Sequence, residues 1–205
     1  LIGVLTGQWG DYGMVPRDAS FLMHATVVKH YFGGGSYPVG GSWMIPETIV
    51  PVIRAGGGEV FTYAKVEEIV IEQGRATGVR MANGDILRAD QIVSSAGARV
   101  TFEQLLPVAL RESLGYPAKL KQVKTSGAHL CIYAGFKGTA AELGLPKTNL
   151  WIYPNEHHEA NVAAFQADVN APFPMLYVSF PSAKDPEWDS NYPGKSTVEV
   201  LTMAP

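Results

Sequence analysis

The sequence predicts an α+β chain, with helices and a β-meander in the first half and an antiparallel sheet in the second. Three observations predict it. A glycine-rich loop, Gly33 to Ser42, runs into an apolar segment that Gly56-Gly57-Gly58 stops. Short apolar stretches separated by turn residues follow up to Ser94, with Asn83-Gly84 as the strongest hairpin signal. From Ala128 onward apolar runs alternate with turns marked by Pro172, Pro174, Pro181, Pro186 and Pro193. The expected division is 1–106 for the first part and 107–205 for the second.

Residues 1–15 hold Gly3, Gly7, Gly10 and Gly13 beside Trp9 and Tyr12, and read as a loop after a truncated helix. Pro16 suits a helix start, and Asp18 favours the first turn. Phe21, Leu22, Ala25, Val28 and Phe32 then make one apolar stripe along a helix over 17–31. Gly40 and Gly41 let the backbone turn sharply and lie close to a flat ligand or another segment. Ser42 is the expected N-cap of the next helix, which carries Trp43, Ile45, Ile49, Val50, Val52 and Ile53 and which Pro51 should kink. The same loop also suits a tight turn before an ordinary helix.

The meander is read as a strand over Lys65 to Glu72, a Gln73-Gly74-Arg75 turn, and a strand over Thr77 to Met81. A type I′ turn at Asn83-Gly84 leads to Asp85 to Arg88, and Gln91 to Ser94 forms a closing strand ending on small residues. Thr101 to Leu106 reads as a short helix, and 107–122 as irregular or partly helical. Strands are expected at Ala128–Phe136, Asn149–Tyr153, Ala163–Ala167, Met175–Phe180 and Thr197–Thr202, with a short helix at Ala140–Leu143.

Composition bounds the function. A chain of 205 residues, 46% of them hydrophobic, can bury a real core. A net charge of −3 gives no electrostatic reason to expect a nucleic-acid partner. Cys131, the one cysteine, excludes an internal disulfide and fits a reducing, cytoplasmic setting; its alternating apolar surroundings read as buried filler. No run is long enough to span a bilayer, while peripheral membrane contact stays open.

The order and spacing of several motifs carry a resemblance. They are Tyr37-Pro38-x-Gly40-Gly41-Ser42, Gly57-Gly58-x-Val60, Val66-x-x-Ile69, Gly74-Arg75-Ala76-x-Gly78-Val79, Asn83-Gly84 and Ala89-Asp90-x-Ile92-Val93-Ser94-x-Ala96-Gly97. Leu105-Leu106 and Pro181-Ser182-Ala183-Lys184-Asp185-Pro186 continue it. Together they resemble the flavoprotein family of phytoene desaturases, carotenoid isomerases, retinol saturases and their bacterial phytoene dehydrogenase-like relatives. The resemblance implies an FAD-dependent oxidoreductase acting on hydrophobic, polyene or isoprenoid-like substrates, by hydride transfer or flavin-assisted isomerisation. It implies a partial FAD-binding domain in 1–106 and part of a substrate-binding domain, with an antiparallel sheet, in 107–205. It places Val66 against the adenine of FAD, Ser95, Ala96 and Gly97 near the adenosine and pyrophosphate, and Tyr37, Gly40, Gly41 and Ser42 beside the flavin ring and substrate channel.

The family's strand–GxGxxG–helix has no counterpart here, since Gly33-Gly34-Gly35 lacks the fingerprint spacing, and its carboxyl-terminal flavin segment has none either. The expectation is an internal fragment of a longer protein that does not hold FAD tightly alone. No catalytic residue is assigned, because flavin chemistry asks the protein for orientation and electrostatics rather than a triad.

Trp151, Tyr153, Phe165, Phe173, Tyr177 and Phe180 suit either a hydrophobic tunnel or an ordinary β core. His157-His158 between Glu156 and Glu159 reads as a solvated turn rather than a metal site, and Lys184, Asp185, Glu187 and Asp189 as a surface ion-pairing loop. His24 and His30 lack a shared-metal spacing. The same residues also fit a stand-alone hydrophobic-ligand-binding module without redox activity, or an assembly domain that dimerises through sheet edges.

Overall fold

The computed structural model describes residues 1–123 and 127–204. Its first elements are helices α1 (Ile2–Leu5), α2 (Phe21–His30) and α3 (Met44–Ala55). Strands β1 (Val66–Glu72), β2 (Arg75–Met81) and β3 (Ile86–Arg88) come next, then helices α4 (Ala98–Val100), α5 (Val108–Leu114) and α6 (Tyr116–Leu120). Strands β4 (His129–Lys137) and β5 (Leu150–Ile152) precede α7 (His158–Ala167). After them come β6 (Leu176–Ser179), α8 (Pro181–Lys184), α9 (Trp188–Asn191) and β7 (Lys195–Met203). Helices and antiparallel sheets are mixed along the chain, as the α+β expectation requires. The chain forms two compact units, Leu1–Val52 with Ser126–Pro205, and Ile53–Thr125.

The larger unit is built on an antiparallel sheet of order β4-β7-β6-β5. Its core is Trp9, Val162 and Met175, with Tyr12, Val15, Trp151, Tyr153 and Met203 packed around them. Trp9 thus anchors the glycine-rich start of the chain to this core, while Leu1, Ile2, Val4 and Leu5 stay exposed. The Tyr153 hydroxyl donates to the Gly7 carbonyl, and His158 Nε2 donates to the Gly3 carbonyl at 2.8 Å.

Two expectations fail here for the same reason. His158 is 3% exposed, not solvated, and stands 4.6 Å from the Tyr153 ring and 6.1 Å from Trp9. Residues 163–167 are the end of α7, not a strand. His158, Val162 and Phe165 are buried at helical spacing, and the alanines between them favour the helix.

Three smaller differences have clear causes. Residues 140–143 make a single turn, closed by Leu145 N–H to Ala140 carbonyl at 2.8 Å, before Gly144 reverses the chain at φ +65°. Cys131 is exposed, because β4 is a sheet edge with neither face covered. The stripe expected over 17–31 starts only at Phe21, after a 3-10 turn at Pro16–Asp18, and its Phe21, Leu22 and Phe32 face outward.

The smaller unit carries the meander, order β1-β2-β3. Its hairpins exchange the expected turn types. Gln73 and Gly74 have φ +51° and +77°, so the two-residue turn with both residues left-handed sits there. Asn83 keeps a negative φ, and only Gly84, at +91°, is left-handed. Met81 N–H bonds the Asp85 carbonyl at 2.8 Å, closing a three-residue loop. The Asn83 side chain accepts from the Asp85 N–H at 3.1 Å, which fixes the asparagine in that loop.

Residues 91–94 do not form the expected closing strand. No strand among the described residues pairs with them, and Val93 is 95% exposed. Beyond Gly97, α4 passes into a π-helical turn, Thr101–Leu105, that packs on β1. The Arg111 guanidinium satisfies the carbonyls of Glu103, Gln104 and Leu106 at the end of that turn, so a helix terminus and its cation are matched.

Candidate functional site

In the larger unit the loop Tyr37–Ser42 is held from both ends. Gly41 N–H bonds the Pro38 carbonyl at 3.0 Å across a turn whose third residue is Gly40 at φ +84°. Gly41 follows at φ +86°, so two successive residues adopt a backbone that side chains resist. The Gly40 N–H then donates to Asp185 Oδ1 at 3.0 Å. That carboxylate, 6% exposed, also accepts the Glu187 N–H at 3.1 Å. Ser42 does not cap α3 through its side chain among the described hydrogen bonds; the Gly41 carbonyl accepts the Met44 N–H at 3.1 Å and opens the helix instead.

Tyr37 stands at the centre. Burial pushes its hydroxyl pKa up, the negative charges of Glu199 and Asp185 add to that, and the Ser42 backbone N–H acts the other way. On its ring face the Lys184 ammonium lies 5.8 Å from the centroid. Lys184 donates to Asn149 Oδ1 and, at 2.6 Å, to Ser179 Oγ, and Asn149 Nδ2 donates to the Tyr177 hydroxyl at 2.6 Å. Burial lowers the Lys184 pKa, partly offset by Glu199. The loop read as a surface ion-pairing segment is thus internal in part: Asp185 is buried and Lys184 half-buried at the end of α8, while Glu187 and Asp189 stay exposed.

Two cavities meet this cluster, and Tyr37 lines both. One, about 340 Å³, is walled by Gly40, Gly41, Ser42 and Trp43, with Tyr133 and Trp188. The other, about 770 Å³, is walled by Asn149, Trp151, Tyr177, Ser179 and Lys184. Of the six aromatics considered for a tunnel, Trp151 and Tyr177 line this second cavity, 4.8 Å apart. Phe165 and Phe180 are buried in packing, and Tyr153 joins the Trp9 core.

The smaller unit places the remaining expected residues. Val66 opens β1, half-buried and paired with Met81. Ser95, Ala96 and Gly97 are exposed, with Gly97 at φ +87° and its carbonyl accepting the Thr101 N–H at 2.9 Å. Among the described residues, no hydrogen bond joins Val66 to these three, and the Ser95 and Ala96 N–H groups have no protein acceptor. Small exposed residues with unspent N–H groups suit a phosphate-bearing cofactor. Sequence reasoning named Tyr177 for a tunnel and Lys184 for a surface loop, but it missed Asn149 and Ser179 and the cluster that the four residues form.

No protein-family model matches the chain. Its relatives are informative. It is 34% identical over 212 residues to an all-trans-retinol 13,14-reductase of Danio rerio, covering 100% of this chain and 35% of the relative. A protein of the same organism named as an inactive all-trans-retinol 13,14-reductase is 33% identical over 93% of this chain and 33% of its own length. A neurosporene-forming phytoene desaturase of Cereibacter sphaeroides is 31% identical over 183 residues, 83% of this chain and 34% of the relative. The chain spans about a third of the length of the curated relatives it matches. Its homologues are thus retinol 13,14-reductases and phytoene desaturases, the family that its loop and meander motifs resemble.

Proposed function

We propose that the chain forms part of an FAD-dependent oxidoreductase acting on a carbon–carbon bond of a hydrophobic, polyene or isoprenoid-like substrate. The similarity of the whole chain to a retinol reductase carries this reading, and the loop at Tyr37–Ser42 supports it. FAD, when bound, supplies the hydride or isomerisation chemistry. Val66, Ser95, Ala96 and Gly97 are the residues proposed to hold its adenosine and pyrophosphate. Tyr37, Gly40, Gly41 and Ser42 are proposed to lie beside the flavin ring, where two glycines let a flat group approach the backbone. In this reading residues 1–106 belong to the cofactor domain and 107–205 to the substrate domain.

A cytoplasmic location with peripheral membrane contact fits a hydrophobic substrate. No helix among the described residues is long and apolar enough to cross a membrane. The exposed edge of β4 would favour pairing between copies. The relative named as inactive favours a second reading, a hydrophobic-ligand-binding module without redox activity.

The visible spectrum separates the two. The native gene product and the 205-residue chain are each purified, supplied with FAD and desalted. Flavin bands retained by the gene product, with polyene consumed under reducing conditions, support the oxidoreductase. Retention by neither sample sinks it and leaves the binding module.

A further inference from the structure

We propose that the cavity centred on Lys184 binds the carboxylate of an amphiphilic acid, with the acid's apolar chain lying along Trp151 and Tyr177. This goes beyond the flavin-dependent reading and stands without it, because it concerns a binding site formed within one unit of the chain.

The argument begins with an unneutralised cation. Lys184 is half-buried, and two of its three N–H groups go to neutral acceptors, the Asn149 amide oxygen and the Ser179 hydroxyl. Among the described residues no carboxylate forms an ion pair with it; Glu199 acts on it from beyond that range. A half-buried ammonium without a counter-ion carries part of the cost of desolvating a charge, and an entering anion relieves it. The burial that lowers its pKa expresses the same cost.

The walls have matching chemistry. Lys147 and Lys184 both line the cavity, and no Asp or Glu does. Ser36 and Thr148 add hydroxyls. Asn149 is locked by donating to Tyr177, so its oxygen faces Lys184 and the ammonium is positioned rather than free to swing out. Tyr31, which also lines the cavity, donates to the nearby Asp11 carboxylate at 2.8 Å, so that acid is hydrogen-bonded to a wall residue and is not itself part of the lining. Beside this polar end the Trp151–Tyr177 pair offers an aromatic wall, and about 770 Å³ falls inside the usual range of about 300–1,000 Å³ for ligand sites. An alcohol would leave the cation unneutralised. A phosphate would satisfy the cation but make no use of the aromatic wall.

The probe is parinaric acid, a fluorescent conjugated tetraene carboxylic acid, titrated into the 205-residue chain beside its methyl ester. The acid is expected to bind about tenfold or more tighter than the ester, the size of a charge-assisted hydrogen bond. Lys184→Gln is expected to bring the acid down to the ester's affinity and leave the ester unchanged, and Lys184→Arg to keep most of the preference. Equal binding of acid and ester to the unmodified chain overturns the proposal. So does an equal loss of both in Lys184→Gln, which would mean a packing role, and so does displacement of the acid by inorganic pyrophosphate, which would mark a phosphate site. If circular dichroism shows Lys184→Gln unfolded, the acid–ester comparison in the unmodified and Lys184→Arg chains decides.

Discussion

The Gly40 backbone N–H donates to the carboxylate of Asp185, joining residues 145 positions apart in the chain. This one bond ties the glycine loop to the turn that also carries Lys184. Asp185 accepts the Glu187 N–H through the same oxygen and is nearly fully buried, so it organises two backbone segments at once. Removing it strands two donors. Asp185→Ala is expected to cost about 1–3 kcal/mol, and Asp185→Asn less, because an amide oxygen can still accept. Urea unfolding of the three proteins checks this; an Asp185→Ala midpoint equal to that of the parent would show that the bond holds nothing.

Two glycines of the larger unit make a separable prediction. Gly40 and Gly13 both have positive φ angles, +84° and +66°. A methyl group at Gly13 would meet nothing within 4 Å, whereas one at Gly40 would stand 2.9 Å from Met44 Cγ. Gly13 lies in the left-handed region, so Gly13→Ala costs only backbone strain, about 1–2 kcal/mol. Gly40→Ala costs backbone strain as well and must also push a flexible methionine aside, so it is expected to be the more destabilising of the two. Thermal melts of both variants compare them directly; equal losses would show that Met44 yields without cost.

The sequence makes the backbone frame readable where period and turn chemistry agree. Strands β1, β2, β6 and β7 lie where apolar stretches bounded by turn residues place them. The Ala163–Ala167 error has a physical origin: a short apolar run looks the same on a strand as on a helix face, and only the burial of His158 five residues earlier reveals the helical spacing. The closing strand at 91–94 has strand-like residues, but a strand also needs a partner, and partners are not written locally. The site was legible in part. Tyr37, Gly40 and Gly41 announce themselves through a turn motif, whereas Asn149 meets Ser179 and Lys184 from a segment 35 residues before Lys184, which only the sheet brings alongside.

The meander offers a stabilising substitution. Gln73 is held at φ +51°, a conformation that asparagine adopts at much lower cost, and Gly74 follows it in a turn that prefers Asn-Gly. Gln73→Asn is expected to raise stability by about 0.5–1 kcal/mol without touching the β1–β2 register. Hydrogen exchange across Glu72 and Arg75 gives the local readout. Faster exchange there would mean that the glutamine makes a contact worth more than the strain it carries.

Alkaline pH tests the Tyr31–Asp11 pair. The Tyr31 hydroxyl donates to Asp11 at 2.8 Å, and burial, then that bond, then the aspartate charge push its pKa up to about 12 from 10. A group whose folded pKa lies above its unfolded value stabilises the fold below the unfolded pKa, and that contribution is lost as pH rises through the folded one. The loss due to Tyr31 should therefore fall between about pH 10 and 12. Burial raises Tyr153 as well, by a larger amount, so its share is lost at still higher pH. Tyr31→Phe cannot ionise and removes the bond, so it is expected to be less stable at neutral pH and to lose less between pH 10 and 12. Unfolding midpoints across that window, with tyrosinate absorbance followed in parallel, decide it: a slope unchanged by Tyr31→Phe would assign the alkaline transition to other tyrosines.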